Sequence, residues 1–274
     1  MIALFQAELY LVFRQKRTYY GLAAIFLIEL FIIAGSWYQG NEIIEVLLEN
    51  LTKSFYLEGN LLNGNLVLYI VLNSLWFNLP LIIMIIVSGF LTNDYKDRIL
   101  QTIMLQSIKK VEYIMVKYFV AVAFTFMVLI FLLVSASIMA YSIFGTGDLI
   151  TYLDGLNFFE SDDAINRIGM AFLSGTLLMF FYSVISIFFA VLFKEITITW
   201  VACALFLILS NLLLKMDFGI MDTWFFPKLI DTWQYFFYFE IPWVEVYLNH
   251  ILLLGYLLIF MIGGIFLFVR RDIG

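Results

Sequence analysis

Charge is what this sequence has least of. Only 13% of its 274 residues are Asp, Glu, Lys or Arg, against 64% hydrophobic, and the mean hydropathy is +1.00. A soluble domain of this length could not cover so much apolar surface with so little charge, so the chain reads as an integral membrane protein. It has one cysteine, Cys203, inside an apolar run, which excludes an intrachain disulfide and a cysteine-based metal site. Its one histidine, His250, excludes a histidine cluster. Both are read as structural. The net charge is −6 and there is no basic tail, so nucleic acid finds no binding surface. A Walker loop, G-x-S-x-G and H-E-x-x-H are all missing, as is an intramembrane pair of acids or histidines fit for proteolysis or proton relay. Those gaps argue against a self-contained ATPase and against a membrane hydrolase.

What is abundant is apolar sequence in unbroken runs of about twenty residues, the length of a bilayer-crossing helix; barrel strands would alternate over about ten. The fold class expected is therefore an all-α membrane protein with six transmembrane helices, at 19–37, 66–91, 118–143, 168–193, 196–214 and 251–269, in a single transmembrane domain over 1–274. Residues 1–18 form an amphipathic segment with Arg14, Lys16 and Arg17 at its end. It reads as an interfacial helix leading into an uncleaved first span rather than as a signal peptide. Spans four and five are separated only by Lys194-Glu195, a tight hairpin.

Orientation follows from the basic residues. Eleven of the fifteen (Arg14, Lys16, Arg17, Lys96, Arg98, Lys109, Lys110, Lys117, Lys194, Arg270 and Arg271) fall in the N-terminal segment, the 93–117 loop, the 194 turn or the C-terminus. The other four are Lys53, Arg167, Lys215 and Lys228, in the alternate loops. By the positive-inside rule both termini and the 93–117 loop are cytoplasmic. In that loop Leu100, Met104, Ile108, Val111 and Met115 recur at three- and four-residue steps, which predicts one amphipathic helix that a soluble partner could push.

The opposite loops are acidic and aromatic. Residues 39–65 place Glu42, Glu45, Glu49 and Glu58 among apolar residues, which predicts a short helix lying on the outer leaflet, and Asn50-Leu51-Thr52 matches a glycosylation acceptor. Residues 144–167 read as a solvated acidic loop. Residues 216–250 hold Trp224, Phe225, Phe226, Trp233, Phe236, Phe237 and Trp243 beside Pro227 and Pro242. They are too broken for a span and too aromatic for a free loop, which predicts two short re-entrant helices covered by protein.

Polar residues inside the spans are few. Glu29 sits in mid-span, where a charge is costly. It is either a substrate or gating contact or a hydrogen-bonded contact between helices or subunits. Asn73, Asn78 and Asn211 are the other candidates for a substrate path, with helix packing as the alternative for each. Pro80 predicts a kink in span two, and the small residues Ala136/Ala140, Ala171/Gly175 and Gly263-Gly264 predict packing surfaces.

Four features together resemble the ABC-2 type transporter permeases, the six-span membrane subunits of type V ABC exporters. They are the basic amphipathic segment 4–17, the charged 93–117 loop, the tight 194–195 turn and the aromatic segment before span six. The resemblance implies a connecting helix, a coupling helix, an inner hairpin and a pair of re-entrant outer helices. The run Asp94-Tyr95-Lys96-Asp97-Arg98 and the Lys109-Lys110 to Lys117 spacing resemble the family's acidic-basic run and the lysine leading into its third span. Where family members carry Gly-Thr and a Pro, this chain has Ile99-Leu100 and Ser107-Ile108. The resemblance further implies a bacterial cytoplasmic membrane, a second permease copy or sibling permease, and two copies of a cytoplasmic ABC ATPase contacted by Asp94, Lys96, Asp97 and Arg98. ATP and Mg would be bound by that partner, with no cofactor on this chain. The apolar interior suits an amphipathic or hydrophobic cargo. An ion-coupled secondary transporter and a non-transporting assembly factor are the rival readings.

Overall fold

In a computed structural model the described residues are 1–52, 61–106, 108–153, 155–217 and 219–271, with the backbone alone for 41–52, 220 and 221. The order is α1 (Ile2–Arg14), α2 (Lys16–Thr52), α3 (Gly64–Lys96), α4 (Ile99–Met104), α5 (Lys110–Phe144), a hairpin of β1 (Leu149–Tyr152) and β2 (Leu156–Phe159), then α6 (Ser161–Phe193) and α7 (Ile196–Leu214). Two 3₁₀ stretches, Gly219–Thr223 and Phe226–Phe237, precede α8 (Trp243–Arg270). Among the described residues six helices, α2, α3 and α5 to α8, are long and apolar enough to cross a membrane.

Several helices outrun the spans read from hydropathy. At 33 to 35 residues, α3, α5 and α6 are about 50 Å long, so they project well past a hydrocarbon core of about 30 Å. The first span likewise continues without a break to Thr52, where a separate short helix was expected. The side chains of Glu42, Glu45, Glu49 and Glu58, the Asn50-Leu51-Thr52 acceptor, Lys53 and Ser107 lie outside the described residues.

The core is α3, α5 and α6. Helix α6 packs against α3, α5, α7, α8 and the longer 3₁₀ stretch, and 67% of its most apolar window is buried, against 17% for α8. Small residues permit the close approach. Ala136, Ala140 and Ala171 are fully buried, and a Cβ on Gly175 would run into the Trp76 indole. Helices α2 and α7 flank α3 on two sides and α8 covers α6.

Each end of the bundle is tied by polar contacts. At one end Asn63 caps α3, its side-chain oxygen accepting from the Leu66 amide at 3.1 Å while its amide donates to the Asp148 carbonyl at 2.6 Å. Asn65 donates to the Gly147 carbonyl at 2.6 Å and accepts from the Tyr141 hydroxyl at 2.7 Å. The antiparallel hairpin, read from sequence as a loop, lies beside this cap. At the other end meet the segments holding most of the cations. Lys110 Nζ donates to the Arg271 carbonyl at 3.0 Å, Arg271 Nη1 to the last carbonyls of α6 at 2.6 and 2.7 Å, and Lys194 lies over the Tyr95 ring. These are called the aromatic end and the basic end below.

Candidate functional site

The basic end is organised around Lys117, two turns into α5 and only 1% exposed. A buried ammonium needs acceptors and counter-charge, and this one has both. Nζ donates to Glu8 Oε2 of α1 at 2.7 Å and to the Phe90 carbonyl of α3 at 2.8 Å, and forms an ion pair with Asp94 Oδ2 of α3 at 2.5 Å. Tyr113, one turn earlier on α5, donates its hydroxyl to the same Asp94 oxygen, and its ring lies under the ammonium. Burial pushes the Glu8 carboxyl above the usual range, and the Lys117 charge opposes that shift. One cation therefore holds two carboxylates and joins α1, α3 and α5.

A second cation stands beside this group. Arg17, at the start of α2, donates through Nη2 to Gln15 Oε1 at 2.6 Å. Its Nε and Nη1 are buried without a hydrogen-bond partner among the described residues. The guanidinium lies against α3 at Gly89, where a Cβ would occupy its place.

The run 94–98 divides. Asp94 turns inward to Lys117, with its side chain 13% exposed, while Lys96, Asp97 and Arg98 face outward. The single amphipathic helix expected across 93–117 is not formed. Arg98 takes a left-handed conformation, φ +54°, which stops α3 and starts the six-residue α4, and α5 begins only at Lys110. Leu100 of α4 is buried and Met104 and Ile108 pack on the core, but Val111 is exposed. The apolar stripe is thus shared between two helices and a turn. Leu105 at the tip is 89% exposed.

The substrate-path candidates do not converge. Glu29 is fully buried and turned towards α5, where its Oε2 accepts from Ser135 Oγ at 2.7 Å; its Oε1 has no partner among the described residues. Asn73 and Asn78 are exposed on α3, the latter bonded to the Ser74 carbonyl of its own helix at 3.1 Å. Asn211 is half-buried on α7 and bonds to the Leu207 carbonyl at 2.9 Å. Helices α2 and α7 each pack on α3, but Glu29 is bonded to α5 and not to any of the asparagines.

At the aromatic end the 3₁₀ stretch Phe226–Phe237 buries Phe226, Leu229, Trp233, Phe236 and Phe237 against α6, α7 and α8. Its last carbonyls are all captured. Arg167 Nη1 donates to those of Phe236 and Tyr238, both at 2.8 Å, and Asn157 and Thr151 donate to that of Phe237 at 3.2 and 3.4 Å. Lys228 Nζ donates to the Leu214 carbonyl that ends α7 at 2.8 Å.

Glu8, Arg17, Tyr113 and Arg167 were not singled out from sequence. Glu8 carried a signal: it is an acid on the α1 face that also buries Val12, where a solvated carboxylate does not belong. Compared with known proteins, the chain matches no protein-family model and no curated protein.

Proposed function

We propose that the chain is the membrane-spanning permease subunit of an ATP-driven exporter and that its motor is a separate chain. One observation carries the reading: the exposed charged turn and short helix at 96–104 are fastened, through Asp94 and Lys117, to two long spanning helices and to the amphipathic N-terminal helix. A force on α4 would reach α1, α3 and α5 together, because charge-assisted bonds at 2.5 to 2.8 Å allow little independent play. The resemblance to ABC-2 permeases supports the same reading.

In this proposal Lys96, Asp97 and Arg98 contact a cytoplasmic ABC ATPase, of which two copies bind ATP and Mg, and Asp94 holds the turn in place from behind. The exposed Asn73 and Asn78 of α3 and the half-buried Asn211 of α7 favour a path shared with a second permease copy or a sibling. The largely apolar interior favours an amphipathic or hydrophobic cargo. The test is co-expression with an ATPase carrying G-x-x-x-x-G-K-[ST], followed by co-purification and paired assays of hydrolysis and transport. Asp97→Arg combined with Arg98→Asp uncouples the two activities without unfolding the chain, since both side chains are exposed. Coupled activity surviving that exchange would place the docking surface elsewhere, and absence of any chain-dependent ATPase would end the reading.

A further inference from the structure

We propose that Arg17, in its notch opposite Gly89, binds the phosphate of an anionic lipid headgroup at the basic end. The corner between α1 and α2 is Arg14-Gln15-Lys16-Arg17, three cations in four residues. Arg14 and Lys16 are exposed, with the Arg14 guanidinium over the Tyr10 ring at 4.9 Å. Arg17 alone turns inward. Its guanidinium has five N–H donors, yet its one hydrogen-bonding neighbour among the described residues is the neutral Gln15 side chain. Leaving two buried nitrogens of a half-buried cation short of acceptors is costly anywhere, and more so where a helix enters a membrane.

Among the described residues no acid supplies the missing partner. Asp94 is the acidic group whose charge acts on Arg17, but its carboxylate is held by Lys117 and Tyr113, and Glu8 is also held by Lys117. Moving Asp94 across would strip the buried lysine of one of its two counter-charges. The notch is built for the guanidinium rather than incidental to it, because any side chain at residue 89 would fill the space the guanidinium occupies. Nη2 is the nitrogen that Gln15 Oε1 occupies, and a phosphate oxygen taking that place would set a full negative charge against the guanidinium in exchange for a neutral acceptor. A basic pocket between spanning helices at the headgroup level is where an anionic lipid is held. The bilayer supplies that ligand at the depth where an interfacial helix turns into a span.

The experiment uses the full chain in nanodiscs of phosphatidylcholine with or without phosphatidylglycerol. Native mass spectrometry counts retained lipid, and the melting midpoint gives an independent readout. The wild type is expected to retain phosphatidylglycerol over phosphatidylcholine by roughly fivefold, the factor that about 1 kcal/mol per basic residue supplies toward a net-anionic headgroup, because the choline ammonium of phosphatidylcholine offsets its own phosphate, and to melt higher in its presence. Arg17→Gln removes the preference, whereas Arg14→Gln with Lys16→Gln keeps most of it. Gly89→Ala, which leaves every cation in place but fills the notch, also removes it. Equal retention of both lipids by the wild type, an undiminished preference in Arg17→Gln, or a loss shared evenly among the three cations would overturn the site. A shift of the same size from inorganic phosphate alone in phosphatidylcholine discs would overturn the lipid assignment in favour of a free anion.

Discussion

Replacing Lys117 by Met tests the organisation of the basic end most sharply. The substitution keeps the length and apolar stem of the side chain, so packing between α1, α3 and α5 is little changed. What is lost is the ammonium and its bonds to Glu8, Asp94 and the Phe90 carbonyl. Two carboxylates then face each other in a site that is nearly closed to water, their side chains 8% and 13% exposed. Removing one partner of a buried ion pair costs about 3–5 kcal/mol, because the remaining charge stays buried and uncompensated. At about 2–4 °C per kcal/mol for a chain of roughly this size, the melting midpoint should fall by about 6–20 °C. The triple change Glu8→Gln, Asp94→Asn, Lys117→Met removes every charge of the network and should recover most of that loss, since neutral replacements of buried ion networks are often nearly neutral in stability. The assay is detergent-solubilised melting, repeated by titration with a denaturing detergent. A loss below about 1 kcal/mol for the single variant, or a triple variant no better than the single one, would refute the reasoning.

Two further outcomes follow from the aromatic end. Arg167→Ala removes two hydrogen bonds to carbonyls at 2.8 Å and should cost about 2–4 kcal/mol; it should be read as faster amide exchange across 226–238, and unchanged exchange there would show that the clamp is redundant. Burial raises the carboxyl pKa of Asp231 against the opposing charge of Lys215, so the folded state carries a penalty that is absent below the ordinary carboxylate pKa and complete above the raised one. The wild type should therefore gain stability as pH falls through that window, and Asp231→Asn should be more stable at neutral pH and lose that part of the pH dependence, as followed by melting between pH 7 and pH 4.

How far the fold was legible varied with the physics involved. Hydropathy locates the part of a helix that the bilayer touches, so it found all six long helices but cut α3 at residue 91 and began α5 at 118. The turns that carry Lys96, Lys110 and Lys117 remain helical outside that layer. Where polar residues bracket a span directly, at Lys194-Glu195 and Lys215, the boundaries of α7 were right at both ends. The 93–117 spacing fitted one helix because local spacing cannot report a left-handed residue at Arg98. The strands of the hairpin, Leu-Ile-Thr-Tyr and Leu-Asn-Phe-Phe, alternate in burial but not in hydropathy, so Gly155 between them was the one turn signal amid acidic neighbours. Lys117 was legible as a lysine leading into a span. That Asp94 serves it from behind rather than facing outward depends on where α3 ends, which no count of residues along the chain provides.

The two ends of the bundle are held by different forces, and this decides where it can respond. At the aromatic end the acceptors are mostly backbone carbonyls and the packing is ring against ring, as between Phe226 and Phe206 or Trp233 and Trp76. Neutral acceptors of that kind have no alternative partners to exchange with. At the basic end the holding groups are charges, one cation serving two acids while a second cation has no acid of its own among the described residues. Such a set has more than one way to pair, and an added charge from a protein surface or a lipid changes which pairing is lowest in energy. Amide exchange distinguishes the two ends directly. In Lys117→Met it should rise over 2–18 and 90–120 and stay unchanged over 149–152, 156–159 and 226–237. A rise at both ends together would mean that the bundle opens as one cooperative unit and that the basic end has no freedom of its own.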